Sequence, residues 1–409
     1  MKILVLSDHF PPDVIGGYEL GCFHVTEALA GRGHTCLVVT SRKEGISESI
    51  SRNNYKTLRV LENIPIMPPG LARRLRLLYL EWHNYYALKK VIKQFQPDCV
   101  YVWKPYDLTV STLNCLHDTN LLLVFYFFDL WFMRLQKLDF NLALQNFKKF
   151  NLLFQLTEKL GLQCWRTQLN LPHLHAQFCS KMVEDQCLKY FETRVISHQR
   201  IPFGINVADI VFDHEKKALN SPLRLLFSGR FCKEKGILIA LETVKILSQK
   251  ISVHFTAYGA MSVEDCNRWY RVVEELNLGA IVELHPFQRQ SLMYQIYHQH
   301  DILLFPSCWN EPYGLVPLEA MAAGTVVVSS GDGGSIDYSI HGVNCLLFDD
   351  YSPVNCANQI LALTENPDLY FEIRKNAFHY VCQNLNFEQT VDSIEKSLFK
   401  ITNTLRKNA

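Results

Sequence analysis

Two hydrophobic rhythms alternate along this chain. Short unbroken apolar runs are each followed by longer stretches with helical spacing. Ile3 to Leu6 is continuous within Lys2 to Ser7, the pattern of a strand buried on both faces. From about Tyr18 to Ala30 the apolar positions, Leu20, Phe23, Ala28 and Leu29 among them, predict a helix that Gly31 and Gly33 end. Thr35 to Thr40 predicts the next strand. A helix from about Arg73 to Phe95 follows and is closed by Pro97. Strands are then predicted at Cys99 to Trp103 and Leu121 to Phe127. Strand, helix, strand in this order predicts a parallel sheet covered on both faces.

Residues 130 to 190 break the rhythm; they are rich in Leu, Phe and Gln and read as helical. A strand is predicted near Thr193 to Ser197, and the polar run Asp209 to Pro222 reads as a linker. The rhythm restarts at Leu223 with the strand LRLLFS, a Gly-Arg turn and a helix from about Ile237 to Leu247. SVHFTAY, AIVELH, DILLFP and TVVVSS are the following strands. Between them lie helices opened by Ser262, around Ser291 to His298, and near Leu315. Phe387 to Leu405 reads as a terminal amphipathic helix. Two such halves predict two doubly wound α/β domains, residues 1–208 and 209–386, facing each other. Ligands are expected in the cleft at the carboxyl ends of the strands, and the helix 387–409 is expected to pack back on the first domain.

Composition narrows the class. An apolar fraction of 48% and a charged fraction of 20% exclude a disordered chain. With 41 basic and 40 acidic side chains the net charge is +1, which gives no reason to expect a nucleic-acid partner. The 13 cysteines include no C-x-x-C pair, so zinc-site spacing is absent and free, mostly buried thiols in a reducing, cytoplasmic compartment are expected. The longest apolar run, Leu121 to Phe128, is far short of the roughly 20 residues a membrane-spanning helix needs.

Three segments carry chemistry. In Pro306 to Ser330, a strand ends at Phe305, a polar loop carries Glu311, Gly314 permits a tight turn, and a helix starts near Leu315 with Glu319 on it. Amides at such a helix start, near Gly314, Leu315 and Val316, attract phosphate, and a carboxylate on either side suits sugar hydroxyls. In Ser228 to Gly236, Arg230 follows a strand and Lys235 precedes a helix. Two cations there can neutralise a diphosphate. In Phe10 to Gly21, Gly16 and Gly17 let a phosphate or sugar approach the backbone, but no G-x-G-x-x-G is present. Taken alone, each segment has a plain alternative: surface acids on a helix, two solvated cations, a flexible loop. His173 and His175 lack a third metal ligand, Asp349 and Asp350 read as a turn, and the basic stretch Ala72 to Leu80 reads first as a surface helix that could touch an anionic membrane.

Together these segments resemble glycosyltransferase family four, retaining enzymes with the GT-B fold. SGRFCKEKG looks like that family's G-R-x-x-x-x-K-G, EPYGLVPLE like its paired-glutamate motif, and DGGSIDYSIHGVNCLL like its G-G-x-x-E segment. FPPDVIGGYE and GRGHTCLVVT carry the likeness in the first half. The resemblance implies that Arg230, Lys235 and the amides near Gly314, Leu315 and Val316 bind the donor diphosphate. It implies Glu319 on the ribose, Glu311 on the sugar, and Gly17 against the phosphate. Two positions depart from it: Phe128-Asp129 stands where the family usually has His-Asp, and Asp337 where it has Glu. The expectation is transfer of a sugar, with retention, from a nucleotide sugar to a hydroxyl of a sugar or glycolipid, without metal or cofactor. A sugar-nucleotide epimerase or hydrolase and an inactive sugar-nucleotide-binding protein are the alternatives.

Overall fold

The computed structural model describes residues 1–133, Cys164 and 172–408, apart from positions 15, 53, 65, 66, 69, 120, 209, 211 and 214–218. It divides into two compact units, Met1–Ile201 with Val391–Ala409, and Pro202–Thr390.

Among the described residues the first unit has eight strands: β1 Lys2–Ser7, β2 Thr35–Ser41, β3 Ser49–Ser51, β4 Tyr55–Leu61, β5 Cys99–Lys104, β6 Leu123–Phe127, β7 Leu174–Phe178 and β8 Val195–Arg200. Their order is β3-β4-β2-β1-β5-β6-β7-β8. Every pairing is parallel except β3 with β4. Helices α1 Gly17–Gly31, α2 Leu71–Phe95, α3 Val110–Asp118 and α4 Lys181–Phe191 supply crossovers. Central β1 is continuously apolar because both its faces are covered, and Ile3 to Leu6 are fully buried. Truncating one of them, as in Leu4→Ala, is expected to cost about 2–5 kcal/mol. At the edge, β8 is polar and exposed along most of its length, which discourages further strand pairing.

The helical reading of 130 to 190 is corrected where the chain is described. Leu174–Phe178 is a strand, buried in the sheet between β6 and β8. The segments 134–163 and 165–171 of that reading, and residues 209, 211 and 214–218 of the linker reading, lie outside the described residues.

The second unit holds a six-stranded, wholly parallel sheet: β9 Leu223–Ser228, β10 Val253–Ala260, β11 Val282–Pro286, β12 Ile302–Phe305, β13 Val326–Ser329 and β14 Leu346–Leu347. The order is β11-β10-β9-β12-β13-β14. Its helices are α5 Ile237–Ser248, α6 Val263–Glu275, α7 Gln290–His298, α8 Leu315–Ala322, α9 Pro353–Glu365 and α10 Pro367–Asn384. Leu225, Phe255, Leu304 and Val328 from four neighbouring strands meet Leu241, Ile360 and Ile373 from helices in one core. At the start of α6 the Ser262 hydroxyl accepts from the Asp265 amide at 3.2 Å, the cap its sequence predicts.

The last helix, α11 Phe387–Asn408, begins in the second unit, and from Val391 onward it belongs to the first. There Glu395 accepts from Arg32 at 2.9 Å and pairs with His34 at 2.7 Å, so α11 is tied to the turn between α1 and β2. Among the described residues no helix is long and apolar enough to cross a membrane.

Candidate functional site

In the second unit the candidate residues gather at the carboxyl edge of the sheet. β9 ends at Ser228, and Arg230 follows on the surface, exposed and without an ion pair among the described residues. A short 3₁₀ turn, Lys233–Lys235, then leads to Gly236 and α5. Gly236 has φ +74°, and a Cβ there would lie 1.9 Å from the Pro306 carbonyl oxygen. Only glycine lets this turn press against the loop that follows β12.

That contact brings Lys235 to Glu311. The Lys235 ammonium donates to Glu311 Oε1, and Ser307 Oγ donates to the same oxygen at 3.2 Å. Glu311 is buried, and its carbonyl accepts from the Gly334 amide at 2.6 Å, which anchors the Gly333–Gly334 turn to the loop. The sequence reading placed Lys235 and Glu311 on different parts of a donor; in the free protein they hold each other.

Gly314 caps α8 in the left-handed region with φ +84° and offers no side chain to the helix. Gly314, Leu315 and Val316 are half-buried, and their amides meet no acceptor among the described residues. Pro317 brings no N–H of its own. Three donors and the positive end of a helix dipole therefore face outward within a few residues of Glu311.

Glu319 lies one turn further along α8 and is buried. Gln290 Nε2 of α7 donates to one carboxylate oxygen at 2.6 Å and the Tyr297 hydroxyl to the other at 3.1 Å. Burial pushes its pKa up to about 7, against the lowering effect of those two hydrogen bonds. Sequence reasoning found Glu319 but not Gln290 or Tyr297, whose helical pattern carries no mark of a polar task.

The first unit has its own polar edge. Gly16 precedes α1, and its amide donates at 2.9 Å to Glu19 Oε2, so the helix caps itself. Glu19 is fully buried, its Oε1 has no partner among the described residues, and burial raises its pKa. Beside Gly17, Tyr18 donates its hydroxyl to Asp8, whose pKa burial also raises. Lys104, at the end of β5, lies 4.1 Å over the Tyr18 ring and 3.6 Å from Asp129 Oδ2. Phe128 is buried, 6.0 Å from the Tyr126 ring.

His9 was also missed by the sequence reading. Its Nδ1 hydrogen-bonds Asp13 at 2.7 Å and its Nε2 Asp107 at 3.1 Å. Burial disfavours the charged ring, but the bonds to Asp107 and Asp13 outweigh it and raise the pKa to about 9. Asp8, His9 and Asp107 bring ligand-type atoms within 4.8 Å of one another. A cation could enter only by displacing these pairs, since both ring nitrogens are already engaged. The lone signal in the sequence was position: all three residues follow strand ends.

Residues 209–380 match the family described as glycosyl transferases group 1, and residues 15–170 match the one described as glycosyltransferase family 4. Together the two matches span most of the chain, which is of the family-4 type of glycosyltransferase. The chain is 29% identical over 146 residues to the D-inositol 3-phosphate glycosyltransferase of Pseudarthrobacter chlorophenolicus, covering 35% of this chain and 34% of that one. It is 30% identical over 125 residues to the lipopolysaccharide 1,2-N-acetylglucosaminetransferase of Salmonella typhimurium, covering 29% and 33%. The matched stretch thus spans about a third of the length of these curated relatives. Among solved structures, the sucrose-phosphate synthase of Thermosynechococcus elongatus superposes with a TM-score of 0.73 at 19% identity, over 98% of this chain and 99% of that one. Anabaena HepE, solved in complex with UDP and glucose, superposes at 0.65 and 19% identity, over 98% and 100%. The fold of the chain is accordingly GT-B, with its two parallel-sheet units as the two α/β domains.

Proposed function

We propose that this glycosyltransferase moves a sugar from a nucleoside-diphosphate sugar to an acceptor hydroxyl, with retention of configuration and without a divalent metal. The acceptor is a sugar or glycolipid, in the synthesis of a glycan or polysaccharide. The observation that carries the reading is the start of α8, where three amides without acceptors among the described residues stand next to the Lys235–Glu311 pair. Anabaena HepE, of the same fold, has been solved with UDP and with UDP-glucose, which supports a nucleotide-sugar donor.

In this reading the diphosphate lies on the Gly314, Leu315 and Val316 amides, with Arg230 and Lys235 as its cations. Its arrival competes with Glu311 for Lys235. Released from the ammonium, Glu311 accepts from sugar hydroxyls, and Glu319 accepts from the ribose. The departing diphosphate gains charge as the glycosidic bond breaks, and the cations and amides stabilise that charge. The same phosphate takes the proton of the acceptor hydroxyl, so no protein nucleophile is required. Around Gly16 and Gly17 the carboxylates of Asp8, Glu19 and Asp129 outnumber Lys104. Such an edge suits hydroxyls better than phosphate, so Gly16 and Gly17 are given sugar contacts rather than the phosphate contact the resemblance implies.

The test is calorimetric titration of the purified chain with UDP-, GDP- and ADP-linked sugars. NMR of the product formed with the donor that binds then follows, read before mutarotation. Binding of one donor class and an unchanged anomeric configuration are expected. Failure to bind any nucleotide sugar overturns the reading, an inverted product overturns retention, and donor isomerised without an acceptor makes the chain an epimerase.

A further inference from the structure

Between α1 and the turn that joins β3 to β4, the first unit holds a cavity of about 480 Å³ lined by Glu27, Arg52, Asn54 and Tyr55. That volume falls within the roughly 300–1,000 Å³ of small-molecule sites. Tyr55 is the first residue of β4 and pairs with Cys36 near the start of β2. The cavity thus belongs to the strand starts, whereas His9, Asn63 and Asp107 follow strand ends. Tyr55 supplies it with an unsatisfied donor. The residue is 6% exposed, its ring packs edge-on against Phe10 with centroids 6.3 Å apart, and its hydroxyl has no partner among the described residues. Burial raises its pKa, and the charges that act on it most are Arg52 and Glu27, two walls of the same cavity. A buried hydroxyl without an acceptor is costly, and a guest that offers one removes the cost.

Arg52 and Glu27 are loosely paired. Nη1 lies 3.3 Å from Oε1, longer than the roughly 2.7–2.9 Å of a tight charge-assisted bond, and both side chains are 42% exposed. The Arg52 guanidinium lies 4.9 Å over the Phe23 ring and 6.0 Å over that of Tyr55. This stacking fixes its plane, while its remaining N–H groups meet no acceptor among the described residues. The Arg52 amide donates to the Tyr55 carbonyl at 2.9 Å, which closes the turn and holds the two side chains together. Asn54 is exposed and adds one amide that both donates and accepts.

The lining selects among guests by its charge. It carries one charge of each sign, so its walls sum to zero. A phosphate satisfies Arg52 and Tyr55 but meets the carboxylate of Glu27. An ammonium satisfies Glu27 but meets Arg52. A vicinal diol suits all four residues, because each hydroxyl both donates and accepts. We propose that this cavity is a second carbohydrate site, which holds a neutral sugar unit of a glycan through Glu27, Arg52, Asn54 and the Tyr55 hydroxyl. Held by one unit, the rest of the glycan stays at high local concentration beside the protein. The proposal stands on the cavity and its lining and does not rest on the donor reading.

The experiment is saturation-transfer NMR of the full chain with the methyl glycosides of glucose, galactose, mannose and N-acetylglucosamine. Transfer to at least one glycoside is expected, and it should persist in a mixture of UDP, GDP and ADP and in inorganic phosphate. Tyr55→Phe keeps the ring and its contact with Phe10. It should weaken sugar binding about fivefold, the worth of one hydrogen bond. Its melting temperature should not fall, because the hydroxyl it removes has no partner in the free protein. A hydroxyl with a purely structural task would show the reverse, a lower melting temperature and unchanged binding. Arg52→Met combined with Asn54→Ala should abolish transfer. Absence of transfer to every glycoside overturns the proposal, as does equal transfer by both variants with unchanged circular dichroism spectra. Displacement of the sugar by phosphate makes the cavity an anion site and overturns it. Displacement by the nucleotides assigns the sugar to the donor site instead, which overturns this proposal and leaves the donor reading intact.

Discussion

Lys235 and Glu311 stand 76 residues apart in the chain and form an ion pair, because β9 and β12, whose loops carry them, are hydrogen-bonded neighbours in the sheet. Glu311 is buried while Lys235 is partly open, so the pair stores a carboxylate that, among the described residues, only its cation and Ser307 satisfy. Lys235→Ala should therefore act twice. It removes a cation from the diphosphate, lowering turnover about a hundredfold, and it strands a buried charge, at roughly 3 kcal/mol of stability. Adding Glu311→Gln should restore much of the stability but not the turnover. Denaturant melts and initial rates of the three proteins decide it. Equal rates in all three would remove Lys235 from the donor site.

Glu319 and Glu311 should fail differently. Glu319→Ala is expected to weaken binding of donor and free nucleotide alike, since one oxygen facing the ribose is worth about 1.5–3 kcal/mol. Glu311→Ala should spare nucleotide affinity and reduce turnover. Calorimetry with the free nucleotide separates them. The raised pKa of Glu319 adds a stability signature. A carboxyl that binds its proton more tightly when folded loses stability as pH rises from about 4.5 to about 7. Glu319→Gln should flatten that fall, on the order of 3 kcal/mol across the window.

His9 has a signature of the same sign, shifted to higher pH. Its folded pKa of about 9 lies above the unfolded 6.5, so its contribution is complete below pH 6.5 and is lost as pH rises towards 9. Histidine and its partners face each other from three segments: Asp8 and Asp13 near the end of β1, Asp107 after β5, and Asn63 after β4. His9→Gln is expected to remove the decline between pH 7 and 9, read by urea unfolding at fixed temperature. An unchanged decline would mean that the ring is neutral in the folded protein.

Arg230 is exposed and unpaired among the described residues, so its removal should leave the fold intact. Arg230→Ala is expected to lower turnover about a hundredfold with an unchanged melting temperature. EDTA should leave the rate of the unmodified enzyme as it is. A rate abolished by EDTA and restored by manganese, with Arg230→Ala near normal, would transfer the charge-stabilising role to a metal.

Much of the architecture was legible because it is written locally. Ile3 to Leu6, Leu303 to Phe305 and Val326 to Val328 are unbroken apolar runs, which a strand covered on both faces requires. Ser262 and Gly314 mark helix starts by capping chemistry that spans a few residues. Arg230, Lys235, Glu311 and Glu319 were found because they adjoin such marks. Leu174–Phe178 was not, since five residues with polar His175 and Gln177 carry too short a pattern to stand against the Leu-rich stretch before them.

What the tertiary structure decided is partnership. Glu319 meets Gln290 and Tyr297 through the packing of α7 on α8, and Glu395 meets Arg32 and His34 across more than 360 positions. His9 meets Asp107 because β1 and β5 are adjacent although 98 positions separate the two residues. Neighbouring periodicity reports which face of an element is buried, whereas the order in which strands join a sheet determines which loops share an edge. The chain alone thus specified two α/β units and the residues at their strand ends. Only the folded sheets determined that Lys235 is neutralised by Glu311, that the α8 amides are left open, and that Glu319 is held in a buried, proton-binding network.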